Sequence, residues 1–575
     1  MVELARFIRS HGPSRSGGFR RSGFSEKCTR ELTMGDARTS MEESDVRSYS
    51  VILLGVVALA WYCKYKLDRH PLYGSNRGPR TYPIVGCQFE LMANRGRFLN
   101  WITEYISKDP GHTIRVERAF AGGRCQIYTG NPANLEHILK TNFDNYPKGE
   151  TTREILFPFL GDGIFNADHE SWKSQRKLAS VEFSTKSLRL FLVEVVEKET
   201  LDRLLPLLSS ARSEGKAIDI QDLMMRFAFD NICNLIVGHD PQVLDPSLPD
   251  MTLANAIDEA AKILSHRMGL TSPIRKFFKL WSSRGKRLDK ALNLIDDLCY
   301  SIIQTRKAEL LHGTRPASEG KTDLLSRFLQ LALDGKTPAQ VQKSTSGSKS
   351  TSRNTSDVYI RDMVVSLVIA GKDSSSSTLS WFFWFMSKHP QVARKIRAEV
   401  LGVIRDRIDP QAGIPSDLTF NFEELKDMDY LHAALQETLR LYPPVPMDGK
   451  MASANDVLPD GTIVHKNDRV TYSPWAMGRL ESLWGQDCLE YKPERWFHNG
   501  TLVQESAFKF PVFQAGPRVC LGKEMSLTQM KYIVASLMAR SITFKVVPEN
   551  FEPIIDRSFV IKIKDKLLVT VEEIV

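Results

Sequence analysis

Cysteine is scarce in this chain and nowhere paired in a local motif. Its eight cysteines, at positions 28, 63, 87, 125, 233, 299, 488 and 520, are scattered with no C-x-x-C among them. That excludes a disulfide framework and a cysteine-based zinc site, and it fits a reducing compartment. Also missing is an apolar run of the roughly 20 residues that a full membrane span needs. The formal net charge is +9, but there is no dense basic helix and no Cys/His finger, so the excess suits an anionic membrane surface or an acidic partner better than nucleic acid. Phosphate motifs fail on inspection. Gly320-Lys321-Thr322 and Gly335-Lys336-Thr337 look like P-loop ends, yet Arg315 and Gln330 stand where the first glycine belongs. Gly161 and Gly163 begin a G-x-G that Asn166 leaves incomplete, and no H-E-x-x-H occurs. With no nucleotide or flavin site, electrons for any redox chemistry must come from a separate protein.

The rest is ordinary for a globular protein, with 42% apolar and 25% charged residues in 575. Residues 1–40 are rich in Arg, Ser and Gly and hold few acids. They read as a transit peptide, as a disordered tail, or as sequence upstream of a later start at Met34 or Met41. For 1–48 a disordered tail or a later start is favoured over a transit peptide because an anchor comes directly after it. Val51 to Cys63 is unbroken apolar sequence, flanked by Tyr49 and Ser50 and then by Lys64, Lys66 and Arg69. Tyr49, Trp61 and Tyr62 suit the two interfaces, and the basic flank would keep the downstream chain in the cytosol. This predicts a membrane anchor over 49–66, although a buried helix or a signal-peptide core has the same composition. Gly78 to Gly86, with Pro79 and Pro83, predicts a stiff hinge within 67–86.

From 87 to 575 the pattern is mainly helical. Leu188 to Leu208, Ile220 to Val237, Leu288 to Leu311, Phe422 to Leu441 and Met525 to Ala539 are helix candidates. Short strands are expected at Thr113 to Val116, Gln126 to Tyr128 and Leu567 to Val571. Lys343 to Ser356 is low-complexity and predicts a surface loop. Asp357 to Met386 is a further helix candidate in which Gly371 and the run Ser374 to Ser377 predict a local opening.

Some local combinations carry chemistry. Trp172 and Arg176, four apart, share a helix face; alone they are equally a solvated basic turn. Glu437 and Arg440 form an i,i+3 pair that alone reads as a surface contact. Cys520 sits between Gly516 and Gly522, two residues after Arg518. A lone cysteine is usually a buried structural residue, but a thiolate in such a loop is able to ligate iron, tuned by nearby N–H groups.

The ten-residue stretch Phe513 to Gly522 (FQAGPRVCLG) resembles the haem-thiolate loop of the cytochromes P450, with every fixed position filled. The hinge, Trp172/Arg176, Ala370-Gly371-Lys372-Asp373-Ser374, Glu437/Arg440 with Arg495 of Pro493-Glu494-Arg495-Trp496, and the cysteine loop succeed one another in that family's order. A finer resemblance is to the plant long-chain fatty-acid ω-hydroxylase group, which also includes jasmonoyl-isoleucine oxidases. It rests on Asn145 to Gly149, Leu160 to Asp168, Ser171 to Lys177, Pro444 to Asp448, and Gly516 to Lys523.

The resemblance implies a mainly α P450 fold with a minor β region behind a membrane anchor. It implies haem b ligated by Cys520 and bound also by Phe513 and Gly516 of the loop, with Trp172 and Arg176 meeting a propionate and Arg518 an anionic group of the cofactor. Asp373 and Ser374 would organise water and deliver protons; serine stands where threonine is usual, a hydroxyl with a less restricted rotamer. Glu437, Arg440 and Arg495 would brace the cysteine loop. NADPH would act through a separate reductase, and the expected activity is hydroxylation of a lipid at the endoplasmic reticulum membrane, or in a plastid if 1–40 is a transit peptide. Phe157, Phe159, Phe165, Val368, Val445, Met447 and Phe559 are candidate pocket residues, though a phenylalanine stripe is more often plain core. Lys148 and Lys450 are left between a substrate carboxylate, a propionate and simple solvation, the last being the plainest. Rival readings are a P450 that rearranges hydroperoxides without dioxygen, a haem sensor or carrier without turnover, and a protein with no haem.

Overall fold

The computed structural model describes residues 53–60, 78–81, 86–117, 125–180, 183–268, 282–312, 323–333, 355–408 and 413–574. The expected tail 1–48, most of the hinge 67–86 and the low-complexity run up to residue 354 lie outside them. The chain divides into two compact units, Met1–Tyr73 and Gly74–Val575. In the first, residues 53–60 are helical, and Leu53, Leu54, Val56 and Leu59 are exposed; the remainder of the expected anchor lies outside the described residues. No helix among the described residues is long and apolar enough to cross a membrane.

The second unit is built around one long helix. We number the helices that matter for the site α1, Glu150–Leu160; α2, His169–Ser180; α3, Ile220–Val237; α4, Thr252–Met268; α5, Thr355–Lys388; α6, Asp429–Leu441; and α7, Lys523–Ala539. Helix α3 shows how the sequence sets its bounds. The Asp219 side chain accepts from Asp222 N at the start, and Gly238 takes the left-handed conformation that ends it. Of the two expected helices around it in sequence, Leu188 to Leu208 is helical with two π segments, Leu192–Glu197 and Thr200–Leu204. Phe422 to Leu441 is split at Asp427 and Met428.

The opening expected in α5 does not occur: the helix runs unbroken through Gly371 to Ser377. Its hydroxyls bond back along the helix instead. Ser374 Oγ donates to Ala370 O at 2.7 Å, Ser376 Oγ to Lys372 O at 2.6 Å and Thr378 Oγ1 to Ser374 O at 2.9 Å, so the low-propensity residues satisfy themselves within the helix. Tertiary packing supplies the rest. Trp381, Phe382 and Phe383 are fully buried, each contributing about 2–3 kcal/mol of transfer free energy. Gly371 is needed for a close crossing, since a Cβ there would collide with Ile232 of α3.

The β part is small. Strands β1 (Thr113–Glu117), β2 (Cys125–Thr129), β4 (Asp448–Met451) and β5 (Arg469–Tyr472) form a sheet in the order β1-β2-β5-β4; β3 (Ile218–Asp219) belongs to a second sheet, in the order β6-β9-β3, with β6 (Ile542–Val546) and β9 (Leu568–Glu573). Strand β5 lies parallel to β2 and antiparallel to β4, placing Asp448 opposite Tyr472. Strands β7 (Ile555–Arg557) and β8 (Ile561–Ile563) make a hairpin. Its Ile561 O accepts from Ser377 of α5 at 2.6 Å, and its Ile561 N donates to Pro444 O at 2.9 Å.

One buried acidic group gives the fold a pH dependence. Arg203 lies 2.7 Å from Glu199, 2.6 Å from Asp240 and 3.7 Å from Asp230. Burial, and then the charge of Asp230, pushes the Glu199 carboxyl up to about 8 from 4.5. An acid that binds its proton more tightly when folded stabilises the fold below its unfolded value, and that contribution is lost as pH rises through the folded one. The thermal midpoint should therefore fall between about pH 5 and pH 8, and Glu199→Gln should flatten the slope. A slope unchanged by Glu199→Gln would assign it to another group.

Candidate functional site

The cysteine loop is a tight double turn. Gln514 (φ 62°) and Gly516 (φ 64°) both have left-handed backbone, and Cys520 N closes the loop on Phe513 O at 2.8 Å. Gly516 passes so close to the chain at Leu139 that a Cβ would fall on the Leu139 carbonyl oxygen. Gly516→Ala combines that clash with an unfavourable φ and should cost more than about 2 kcal/mol, read as a lowered thermal midpoint together with a lowered haem content. A midpoint unchanged in the alanine variant would mean the close approach is relieved cheaply.

Cys520 retains an accessible face, but protein surrounds it enough that burial raises the thiol above its ordinary value. Opposing that are the Gly522 and Lys523 backbone N–H groups at the start of α7 and the charge of Arg176. These N-terminal groups of a helix favour an anion.

Around the cysteine the fold gathers cations. Trp172 on α2 is buried, with the Arg518 guanidinium 4.4 Å and the Arg176 guanidinium 5.9 Å from its ring. Arg518 donates to Ala167 O at 2.9 Å and to Asp168 Oδ1 at 2.7 Å. Beyond it lies Asp448, which accepts from Lys148 at 2.9 Å, Gln514 Nε2 at 2.8 Å and the Tyr472 hydroxyl at 3.2 Å. Burial pushes the Asp448 carboxyl up, but Lys148 and Lys450 prevail and hold it well below the usual range. The plain expectation that Lys148 and Lys450 meet only water is thus corrected: Lys148 is spent on Asp448, and Lys450 is buried. The β4–β5 register pairs Asp448 with Tyr472 and Lys450 with Val470.

Helix α5 faces this site with a narrow accessible stripe. Ile369, Ala370, Gly371 and Ser374 keep partial exposure, whereas Lys372, Asp373 and Ser375 to Ser380 are buried. Ala370, Gly371 and Ser374 stand at i, i+1 and i+4, on one helix face. Ser375 and Ser526 of α7 meet at 3.0 Å, tying the helix to the one after the cysteine. Asp373 does not share the stripe. It pairs with Lys372 and, at 2.9 Å, with Lys562 of the β7–β8 hairpin. Both lysines also reach Asp258 on α4, at 2.6 and 2.8 Å. Burial raises the Asp373 carboxyl, and the two lysines outweigh it and lower it. The sequence reading missed Lys372, Lys562 and Asp258. Lys372 lay inside the motif itself; the other two are remote in sequence and carry no local sign.

The bracing group is assembled as a buried unit. Glu437 and Arg440 are fully buried and bonded twice at 2.8 Å. Glu437 also accepts from Trp496 Nε1 at 3.0 Å and Lys492 N at 3.0 Å, with Arg495 at 3.3 Å. Arg440 and Arg495 donate in turn to backbone carbonyls, among them Cys488 O at 2.6 Å and Trp484 O at 2.6 Å. The expected pocket residues divide. Phe159 and Val368 are core, which corrects their assignment; Met447 and Phe559 are partly buried; Phe157, Phe165 and Val445 are exposed.

Comparison with known proteins agrees with this arrangement. The family model described as Cytochrome P450 matches residues 77–570. The chain belongs to the cytochrome P450 family, and it is a monooxygenase that uses thiolate-ligated haem, with NADPH electrons supplied through a separate reductase. Among its relatives, cytochrome P450 94A2 of Vicia sativa is 40% identical, over 88% of this chain and 93% of the relative. Cytochrome P450 94B1 of Arabidopsis thaliana is 41% identical over 82% of this chain and 87% of its own length. Cytochrome P450 86B1 of Arabidopsis thaliana is 38% identical, over 81% and 80%. The residues present fit the haem: an accessible sulfur beneath helix-terminal N–H groups, a cationic edge at Trp172, Arg176 and Arg518, and a stripe of small residues on α5.

Proposed function

We propose that this protein hydroxylates long-chain fatty acids, most favourably at the chain end, with fatty-acid-derived signals such as jasmonoyl-isoleucine as the alternative substrates. The observation that carries this reading is an accessible apolar set on segments fastened to α5. Phe157 and Phe165 flank a stretch held by Arg361 to Phe159 O at 2.7 Å and by Asp162 N to Asp362 at 2.9 Å. Val445 comes directly after Pro444, which is bonded to the β7–β8 hairpin. Apolar side chains with open faces, on segments bonded to α5 and to the hairpin it contacts, suit an alkyl chain, whose terminus must be positioned because internal C–H bonds are weaker. The resemblance of Asn145 to Gly149, Leu160 to Asp168 and Pro444 to Asp448 to the plant long-chain fatty-acid ω-hydroxylase group supports the same class.

The balanced reaction takes a C–H substrate, O2, NADPH and a proton to the alcohol, water and NADP+. Bound haem supplies the activation of dioxygen and the oxidation of the C–H bond. Cys520 holds it as the thiolate, stabilised by the Gly522 and Lys523 N–H groups. Trp172, Arg176 and Arg518 orient its edge. Ser374 presents a hydroxyl on the accessible face of α5 and would hand protons on through water, and Asp373, held as the anion by Lys372 and Lys562, would act as a transient relay to it. Residues 49–66 anchor the protein in the endoplasmic reticulum membrane with the catalytic unit in the cytosol; import into a plastid by residues 1–40 is the alternative.

Membranes carrying this chain and a reductase, incubated with fatty acids and fatty-acyl conjugates, should yield a hydroxylated product whose position mass spectrometry assigns. Oxidation confined to the amino-acid conjugate would favour the signal reading, and no oxidation of any member would reject the lipid assignment.

A further inference from the structure

The connector between α1 and α2 is held at both of its ends. At one end it is fastened to α5: Arg361 donates to Phe159 O at 2.7 Å, and Asp362 accepts from Asp162 N at 2.9 Å. At the other end it is fastened to the cysteine loop: Arg518 donates to Ala167 O at 2.9 Å and to Asp168 Oδ1 at 2.7 Å. Residues 163–167 therefore run from the face of α5 to the loop that carries Cys520. The contact with α5 is close. A Cβ on Gly161 would fall on the Asp362 carboxylate, and one on Gly163 would fall on Ser366 Oγ and Asp362 O. Ser366 stands one turn before Ala370, so the connector rests on α5 where the accessible stripe of Ile369, Ala370, Gly371 and Ser374 begins.

The clasp is an ion pair in a place where apolar side chains would serve stability as well. Arg361 is 4% and Asp362 5% exposed, and they meet at 3.0 Å. Arg361 also donates to Asp296 of the helix Ser283–His312 at 2.8 Å. A buried pair adds little net stability over well-packed apolar groups. What its directional bonds add here is one fixed height of the connector above α5. Phe165, in the middle of the suspended stretch, keeps an open face, while Ile164 beside it is buried. The stretch thus presents an apolar side chain from a backbone that is bonded on either side.

We propose that Arg361 and Asp362 are positioning residues for the hydroxylation: by clasping the connector to α5 they set a stop at the end of the stripe, and that stop decides which carbon of an alkyl chain is presented for oxidation. An alkyl chain has no polar group near its end, so the depth of the site is what selects its terminal carbon. A raised connector would let the chain advance and bring the weaker internal C–H bonds into reach. The inference rests on the lipid reading for its substrate, and the test separates the two.

Full-length protein in membranes that also carry the reductase is incubated with a saturated fatty acid, and the positions of the hydroxyl are quantified by mass spectrometry. Asp362→Ala removes the acceptor of Asp162 N and leaves Arg361 its bond to Asp296. It should raise the ratio of internal to terminal hydroxylation about tenfold, the discrimination that one methylene is worth in an apolar site. Asp362→Asn keeps an acceptor oxygen and should hold the ratio near that of the unchanged protein. Gly163→Ala lifts the connector off Ser366 without touching the ion pair and should shift the ratio in the same direction as Asp362→Ala. A merely structural role would lower the amount of active enzyme and leave the ratio alone, so equal ratios in the unchanged protein, Asp362→Ala and Gly163→Ala would overturn the proposal. Where Asp362→Ala does not accumulate, Gly163→Ala decides. If the unchanged protein oxidises no lipid, the lipid reading fails by itself, and the clasp is judged on the ferrous holoprotein. Carbon monoxide should then rebind after flash photolysis several-fold faster in Asp362→Ala and Gly163→Ala, and rebinding at the original rate in both would overturn the clasp as a stop.

Discussion

Replacing Cys520 by serine should abolish reductase-supported oxidation, with a loss of at least about 1,000-fold, while the protein still folds. The magnitude comes from what the sulfur contributes. A thiolate donates electron density to iron and favours O–O cleavage, and the site is arranged to hold that anion: the Gly522 and Lys523 N–H groups and the Arg176 charge offset the burial that raises the thiol. A serine hydroxyl is too weak an acid to be held as an anion by the same groups. Folding should survive because Cys520 has an accessible face and fills no core position. The checks are absorption spectra of the ferric protein and its ferrous–CO complex, alongside turnover. A Cys520→Ser protein with an unchanged spectrum would remove this cysteine from the iron altogether.

The second large effect is on stability. Glu437→Ala should destabilise the protein by about 3–5 kcal/mol, because removing one partner of a buried ionic group leaves the others uncompensated. Here the others are Arg440, fully buried, and Arg495, largely buried, both facing the lost carboxylate. Two further donors, Lys492 N and Trp496 Nε1, would lose their acceptor. Glu437→Gln should cost less, since it keeps an acceptor oxygen while losing the charge. Denaturant unfolding of the variants and the yield of haem-loaded protein give the comparison. A shift under about 1 kcal/mol in Glu437→Ala would show that backbone carbonyls alone hold Arg440 and Arg495.

How much of this was legible in the sequence depended on how local the signal was. Helix α3 was bounded correctly by its apolar periodicity from Ile220 to Val237, and the structure adds the cap at Asp219 and the terminating Gly238. Helix α5 was found, but its continuity was misjudged: propensity weighs Gly371 and four serines against the helix, whereas the hydroxyls bond to carbonyls one turn back and the packing does the rest. The brace Glu437, Arg440 and Arg495 was visible only as motif spacing, and its burial came from tertiary packing. The charges that surround the site were the least legible. Asp448 meets Lys148, 300 residues away, and Lys562 meets Asp258, 304 residues away. No window of sequence joins such partners. Phe159 and Val368 failed for the opposite reason, because an apolar residue near a motif reads alike whether it lines a site or fills a core.

The pairing of β2 with β5 also bears on how the protein is made. Thr129 bonds across to a strand ending at Tyr472. At about 5–20 residues per second, β2 leaves the ribosome on the order of 17–70 s before its partner exists. Through that interval its free edge is open to association with other chains. The wall that carries Asp448 and Lys450 cannot form until β4 and β5 arrive, and the cysteine loop emerges later still. Cofactor capture therefore falls at the end of synthesis, and shielding of the early strand, by chaperones or by the partly collapsed chain, becomes a condition for obtaining active enzyme.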